Sequence, residues 1–226
     1  MSQLKIIDTK DGSHSLLNEE LNETYHSTHG AVQESMHVFI RHGLHHWFQQ
    51  QGFRSAAILE IGFGTGLNAL LTVEAAMTRH VSIHYTSIEA FPVSMDLVRQ
   101  LNYPNQIGLP GAEKYFSDLH ISPWDEGIKV TDHFTLEKRL GKIQDLAIAN
   151  AAYDLVFFDA FAPAKQGEMW ELPVLTKVAR ALRPGGIFVT YCAQGQLKRN
   201  LKSLNAVVET LVGPPGKREM VRATIR

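Results

Sequence analysis

The chain has 226 residues, 44% hydrophobic and 20% charged, with a net charge of −1. That composition suits a globular protein with a sizeable core, and no apolar run approaches the roughly 20 residues that span a bilayer. The N-terminus, MSQLKIIDTKDGSHS, lacks the apolar stretch of a signal peptide. Cys192 is the only cysteine, so an internal disulfide is excluded and a reducing, cytoplasmic compartment is expected.

In chain order, residues from about 20 to 50 mix polar and apolar positions and read as a helical N-terminal extension, bounded as 1–50. At residue 56 the character changes. AAILEI is a short apolar strand, GFGTG a glycine loop, and LNALLTVEAAM a helix. SIHYTSIEA is a second strand that ends in an acid, and a helix starts near Val93. Residues 102–127 are rich in Pro and Gly and read as an insertion or lid on a single domain spanning 1–226. IKVTDHFTL alternates as a strand, and YDLVFFDAF is a strongly apolar strand that again ends in an acid. ELPVLTKVARAL is a helix stopped by RPGG, IFVTYCA a strand that packs Cys192, and QLKRNLKSL a basic amphipathic helix. AVVETLVG and REMVRATIR are able to pair as a closing hairpin.

Strand and helix alternate from residue 56 to about 205, the pattern of a mostly parallel α/β sheet covered on both faces. The expected architecture is a doubly wound, Rossmann-like sheet of seven strands that closes with an antiparallel hairpin. Ligands of such sheets bind at the carboxyl ends of the strands where the order reverses. The loops after Ile61, Ile88 and Phe158 are therefore the candidate site.

Glu60-Ile61-Gly62-Phe63-Gly64-Thr65-Gly66 follows a strand and opens a helix in which Asn68 is the second residue. Glycines permit a tight turn and close approach of backbone amides to a ligand. A dinucleotide fingerprint reads G-x-G-x-x-G, but here the third glycine comes one residue early and Leu67 takes its place. Glu60 also stands two residues before the first glycine, where a pyrophosphate would be repelled and a cationic amino group attracted. The loop therefore favours S-adenosylmethionine over NAD as cofactor, bound by Glu60, Gly62, Phe63, Gly64, Thr65, Gly66 and Asn68. Glu89, at the end of the second strand, is placed to accept from both ribose hydroxyls of an adenosine. Phe91 either covers the adenine face or packs into the core.

Asp159-Ala160-Phe161-Ala162-Pro163-Ala164-Lys165 follows YDLVFF, with EMW close behind. An acid followed by an aromatic and a proline suits a nitrogen acceptor: the carboxylate orients the amine and the ring excludes water. Trp170 either stacks on a base or anchors the following helix, and Lys165 meets either RNA phosphate or solvent.

With these residues in view, the chain resembles the methyltransferase domain of the MnmC family, the bacterial bifunctional tRNA 5-methylaminomethyl-2-thiouridine biosynthesis proteins, and its stand-alone relatives. The resemblance rests on ILEIGFGTGLNALL (58–71), SIEAFP (87–92), FFDAFAPAKQGEMW (157–170) and GKREMVRA (216–223), with a weaker match at GAVQESMHVFI (30–40). It implies a class I S-adenosylmethionine-dependent methyltransferase fold and methylation of the exocyclic amine of 5-aminomethyl-(2-thio)uridine at the tRNA wobble position. It assigns Asp159 to catalysis and to the cofactor, and Phe161, Pro163, Lys165 and Trp170 to the acceptor side. Its partners are tRNA and, since no flavin oxidase domain follows before Arg226, a separate flavin-dependent enzyme acting on the same modification. Where the family often carries an acid for the adenine amino group, RLGKIQDL offers Lys142, with Asp145 three residues on.

Residues 177–226 carry 10 Lys and Arg against 2 Asp and Glu, a balance of +8, whereas residues 1–176 carry 12 against 21, a balance of −9. The basic end either meets phosphates or forms solvated helix faces. His42, His45 and His46 sit at helical spacing, with His26, His29 and His37 nearby. No Cys and no clear carboxylate accompany them, so surface or substrate-facing roles are expected and no metal. Two other classes stay open: a small-amine methyltransferase or aminopropyltransferase-like enzyme, and a non-catalytic RNA-binding module with a decayed glycine loop.

Overall fold

A computed structural model describes residues 4–52 and 55–226. The chain opens with a small antiparallel sheet of β1 (Leu4–Asp8), β2 (His14–Asn18) and β3 (Glu23–Thr24) in that order. Asp11 and Gly12 form the β1–β2 turn, and Asp11 Oδ1 accepts from the Thr9 hydroxyl at 2.7 Å and the Ser13 amide at 3.0 Å. The expected helical extension is thus corrected: helix begins only at Ala31. The Asp-Gly dipeptide between two short alternating runs is a hairpin signal, and it outweighs any 3.6-residue reading there.

Helix then runs through α1 (Ala31–Ser35), a π-wound stretch (Met36–His45) and α2 (His46–Gln51). It lies close on the main sheet at Gly43, where an added Cβ would stand 3.1 Å from both Phe157 and Val189. The main sheet contains β4 (Ser55–Ile61), β5 (Ser82–Glu89), β6 (Gly127–Thr131), β7 (Phe134–Leu140), β8 (Tyr153–Phe158), β9 (Leu182–Thr190), β10 (Ala206–Val212) and β11 (Glu219–Ile225). Its order is β10-β11-β9-β8-β4-β5-β7-β6. The central five are parallel, and β10–β11 is the antiparallel hairpin expected from the sequence. The eighth strand arises because IKVTDHFTL folds back on itself: β6 pairs antiparallel to β7.

Helices α3 (Leu67–Arg79), α4 (Met95–Val98), α5 (Tyr103–Gln106) and α6 (Ala112–Ile121) follow the first half of the sheet. Helices α7 (Leu172–Ala181) and α8 (Gly195–Ser203) follow the second. Two buried clusters result, one on each face of the sheet. Ile58, Tyr85 and Phe157 point toward α3 and the π-wound helix, while Leu59, Ile61, Val156 and Phe158 point toward α7 and α8. Residues 102–127 contribute Tyr103, Phe116 and Leu119 to the first cluster. Cys192 is buried in the second. No helix among the described residues is long and apolar enough to cross a membrane.

Candidate active site

The sheet order reverses at β4, whose neighbours are β5 on one side and β8 on the other. A cavity of about 1380 Å³ opens at the carboxyl ends of these three strands. It is lined by Gly62, Phe63, Gly64, Thr65 and Asn68 from the glycine loop and α3, by Glu89 and Phe91 after β5, and by Asp159, Phe161 and Lys165 after β8.

The glycine loop is held from both sides. The Gly62 amide donates to Ile88 O at 2.9 Å, and the Asp159 amide donates to Ile61 O at 3.0 Å. Gly62 has φ +94, and a Cβ there would stand 2.8 Å from Asp159 O, so only glycine fits. Gly64 donates its amide to Glu89 Oε2 at 2.9 Å, and Phe91 donates its amide to Glu89 Oε1 at 2.7 Å. Glu89 is thus fixed by two backbone donors and retains lone pairs on both oxygens for further donors. Thr65 is buried, with its hydroxyl 2.8 Å from His26 Nε2, and its carbonyl accepts from His120 Nε2 at 3.1 Å. Burial pushes both imidazoles down to about 4, so they brace the loop as neutral rings.

Asp159 accepts from Asn68 Nδ2 at 2.8 Å. Burial, and then the nearby Glu34 charge, push its carboxyl up to about 7, while Asn68 and Lys217 pull the other way. Phe161 stands edge-on to Tyr25, with ring centroids 5.0 Å apart.

Four expected site residues do not line the cavity. Glu60 is fully buried behind the glycine loop, because strand alternation turns it toward α3. Gly66 caps α3 with φ +73, against His120. Pro163 lies on the Asp159 loop outside the cavity lining. Trp170 is buried against Phe158 at 5.0 Å and donates Nε1–H to Phe161 O at 2.8 Å. It is therefore a core anchor that fixes the loop after β8 from beneath. Lys142 lines the cavity with Ile143 and Gln144, whereas Asp145 does not. Phe91 is 68% exposed at the rim rather than packed in the core.

The sequence reading missed a whole wall of this cavity. Tyr25, His26 and Glu34 reach it from the N-terminal segment, Tyr191 from the end of β9, and Lys217 from the β10–β11 connection. Lys217 pairs with Glu34 and its Nζ lies 4.0 Å from the Tyr191 ring centroid; Tyr191 donates its hydroxyl to Ala160 O at 2.8 Å. The only pointers were the segments 30–40 and 216–223, and nothing in either names a partner in the other. The histidines disperse: His26 braces Thr65, while His37 donates to Val212 O at 2.9 Å and lies tilted against His42.

Residues 121–226 match a family model described as S-adenosyl-L-methionine-dependent methyltransferase. The chain is 33% identical, in an alignment 222 positions long that covers 91% of the chain, to the tRNA 5-methylaminomethyl-2-thiouridine biosynthesis bifunctional protein MnmC of Cupriavidus necator. It is 32% identical over 215 residues to the MnmC of Idiomarina loihiensis. It spans 32% and 35% of those relatives, about one third of their length. In fold it is similar to a crystal structure of MNMC2 from Aquifex aeolicus, with a TM-score of 0.80 at 23% identity, over all of this chain and 71% of that one. The chain is thus similar, in its C-terminal half, to the S-adenosyl-L-methionine-dependent methyltransferases and, along nine-tenths of its length, to about one third of MnmC.

Proposed function

We propose that the chain transfers a methyl group from S-adenosylmethionine to the exocyclic primary amine of 5-aminomethyl-(2-thio)uridine at the tRNA wobble position. The product is 5-methylaminomethyl-(2-thio)uridine. The observation that carries this reading is Asp159, a carboxylate held by Asn68 at the end of β8, in one cavity with the glycine loop and Glu89. The sequence similarity to MnmC along nine-tenths of the chain supports the choice of acceptor.

In this reading Glu89 accepts from the ribose hydroxyls, and the glycine loop, its Gly62 and Gly64 amides held by Ile88 O and Glu89, packs against the methionine end. Bound there, the cofactor supplies an electrophilic methyl on a sulfonium. The acceptor must present a nitrogen lone pair, so the site takes the neutral amine. Asp159 accepts a hydrogen bond from that amine and aims its lone pair; alignment of this kind is worth roughly 7–11 kcal/mol in favourable cases. With a carboxyl pushed up to about 7, Asp159 also suits proton acceptance near neutral pH. The Phe161–Tyr25 pair walls the acceptor end against water, and exposed Lys165 meets RNA phosphate at the rim. The partners of this reading are tRNA and a separate flavin-dependent enzyme acting on the same modification, in the cytoplasm.

Labelled methyl transfer to bulk tRNA from cells lacking this protein, followed by nucleoside analysis, tests the reading. Label in 5-methylaminomethyl-(2-thio)uridine is the expected result. Label only in small amines would favour a small-amine methyltransferase, and tight tRNA binding without any turnover a non-catalytic RNA-binding module.

A further inference from the structure

Glu60 is an acid with no place in the cavity and no cation beside it. It sits on β4 directly opposite Ser87 on β5, and the Ser87 hydroxyl donates to Glu60 Oε2 at 2.6 Å. The other groups acting on its carboxyl are Tyr85 on β5, Asn68 on α3 and Asp159 after β8, and none of these is positively charged. Glu60 Oε1, the Tyr85 hydroxyl and Asn68 Oδ1 are all buried without a hydrogen-bond partner. The same Asn68 donates Nδ2 to the carboxylate of Asp159 at 2.8 Å.

The donor count in this cluster decides the protonation state. Among the described residues, with Glu60 ionised, the Tyr85 hydroxyl is the one donor atom in this cluster without any partner, against two such acceptors, Glu60 Oε1 and Asn68 Oδ1. With Glu60 neutral, its own O–H is the second donor and both acceptors are served. An uncompensated buried carboxylate is also far more costly than a buried acid.

We propose that Glu60 is a positioning residue that works as a neutral carboxylic acid: its proton serves Asn68 Oδ1 and thereby keeps Asn68 Nδ2 turned to Asp159. A neutral Glu60 leaves the cofactor's ammonium to other groups. Burial pushes the Glu60 carboxyl up to about 8, in keeping with the geometry. Its link to catalysis rests on the role given to Asp159 above, whereas its protonation does not.

Glu60→Gln is the decisive variant, because an amide donates to Asn68 and accepts from Ser87 as the neutral acid does. A folded-state value near 8, against an ordinary 4.5, means that wild-type stability falls as pH rises between these two points. Glu60→Gln should abolish that fall and raise Tm at pH 8 by about 5 °C or more. It should leave S-adenosylmethionine affinity within about twofold, and remove the alkaline loss of kcat that ionisation of Glu60 imposes. Glu60→Leu, apolar and of similar length, should stay folded by circular dichroism, bind cofactor and lose kcat by at least about tenfold, the scale of a lost hydrogen bond to a charged group. A loss of cofactor affinity beyond about tenfold in Glu60→Gln would overturn the proposal in favour of an anionic Glu60 acting on the ammonium. An unchanged slope of Tm against pH would overturn it in favour of an ordinary ionised acid. Should the wild type methylate no tRNA, the functional reading fails, while the Tm and binding measurements still decide the state of Glu60.

Discussion

Asp159 and Glu89, at the ends of the two strands that flank β4, show how two acids are held in different ways. Asp159 meets one side-chain amide in a buried setting and is pushed up to about 7, whereas Glu89 is held by two backbone amides at the glycine loop. A raised carboxyl is ionised only above its own value, so kcat should climb with pH around 7 and Asp159→Asn should flatten that climb. Asp159→Ala should cut turnover by roughly 10²-fold or more, the scale of a positioned proton acceptor, with cofactor affinity nearly unchanged. Normal turnover in that variant would make Asp159 structural. Under the proposed function, titration calorimetry of Glu89→Ala should show S-adenosylmethionine binding weaker by roughly 1.5–3 kcal/mol, because the ribose would lose its acceptor and the Gly64 and Phe91 amides lose theirs. Both acids were legible as strand-end residues. Glu60 was legible as an acid in the motif but not in its orientation. Alternation along β4, with Ile58 and Glu60 on one face and Leu59 and Ile61 on the other, turns it away from the cavity.

At the scale of elements, the glycine loop is a joint between three strands rather than a free cradle. Gly62 bonds back to β5, while a Cβ there would stand 2.8 Å from the carbonyl of Asp159 after β8. Gly62→Ala therefore strains the backbone at φ +94 and pushes on the acceptor loop at the same time. It should cost about 1–3 kcal/mol in chemical denaturation and lower both cofactor affinity and kcat. A variant of wild-type stability and activity would show that the loop relaxes freely. The β4–loop–α3 unit was readable because strand, glycines and helix follow one another within a few residues. The N-terminal hairpin carried one local signal, Asp11-Gly12, but its runs are short and it is fixed by partners elsewhere in the chain: His14 N donates to Asn102 Oδ1 at 2.8 Å, and His26 reaches Thr65 at 2.8 Å.

Across the whole molecule, five of the ten basic residues of 177–226 are engaged by acids or backbone carbonyls within the fold. Arg183 pairs with Asp154, Lys198 with Glu219, Lys217 with Glu34 and Arg222 with Glu209, while Lys177 donates to three carbonyls between Ile143 and Leu146. Arg199 and Lys202 on α8 remain exposed, on the helix that starts just after cavity-lining Tyr191. Under the proposed function these two should meet tRNA phosphates. Arg199→Glu with Lys202→Glu should weaken tRNA binding and lower the slope of log affinity against log salt by roughly 0.7–0.9 per lost contact. Cofactor affinity should not change. An unaltered salt slope would move the RNA track to another face.

What the sequence by itself determined is the set of local features: alternating strands and helices, a glycine loop that opens a helix, acids at two strand ends, and the closing hairpin. Each depends on residues adjacent in the chain, where periodicity and turn chemistry act directly. Only the tertiary structure decided which of those residues share the cavity. Glu34 and Lys217 are paired across the two ends of the chain, Tyr25 meets Phe161, and Trp170 is withdrawn into the core. Contacts of that kind arise from the order in which strands are laid in the sheet and from the face each side chain is given, and neither is written in local spacing.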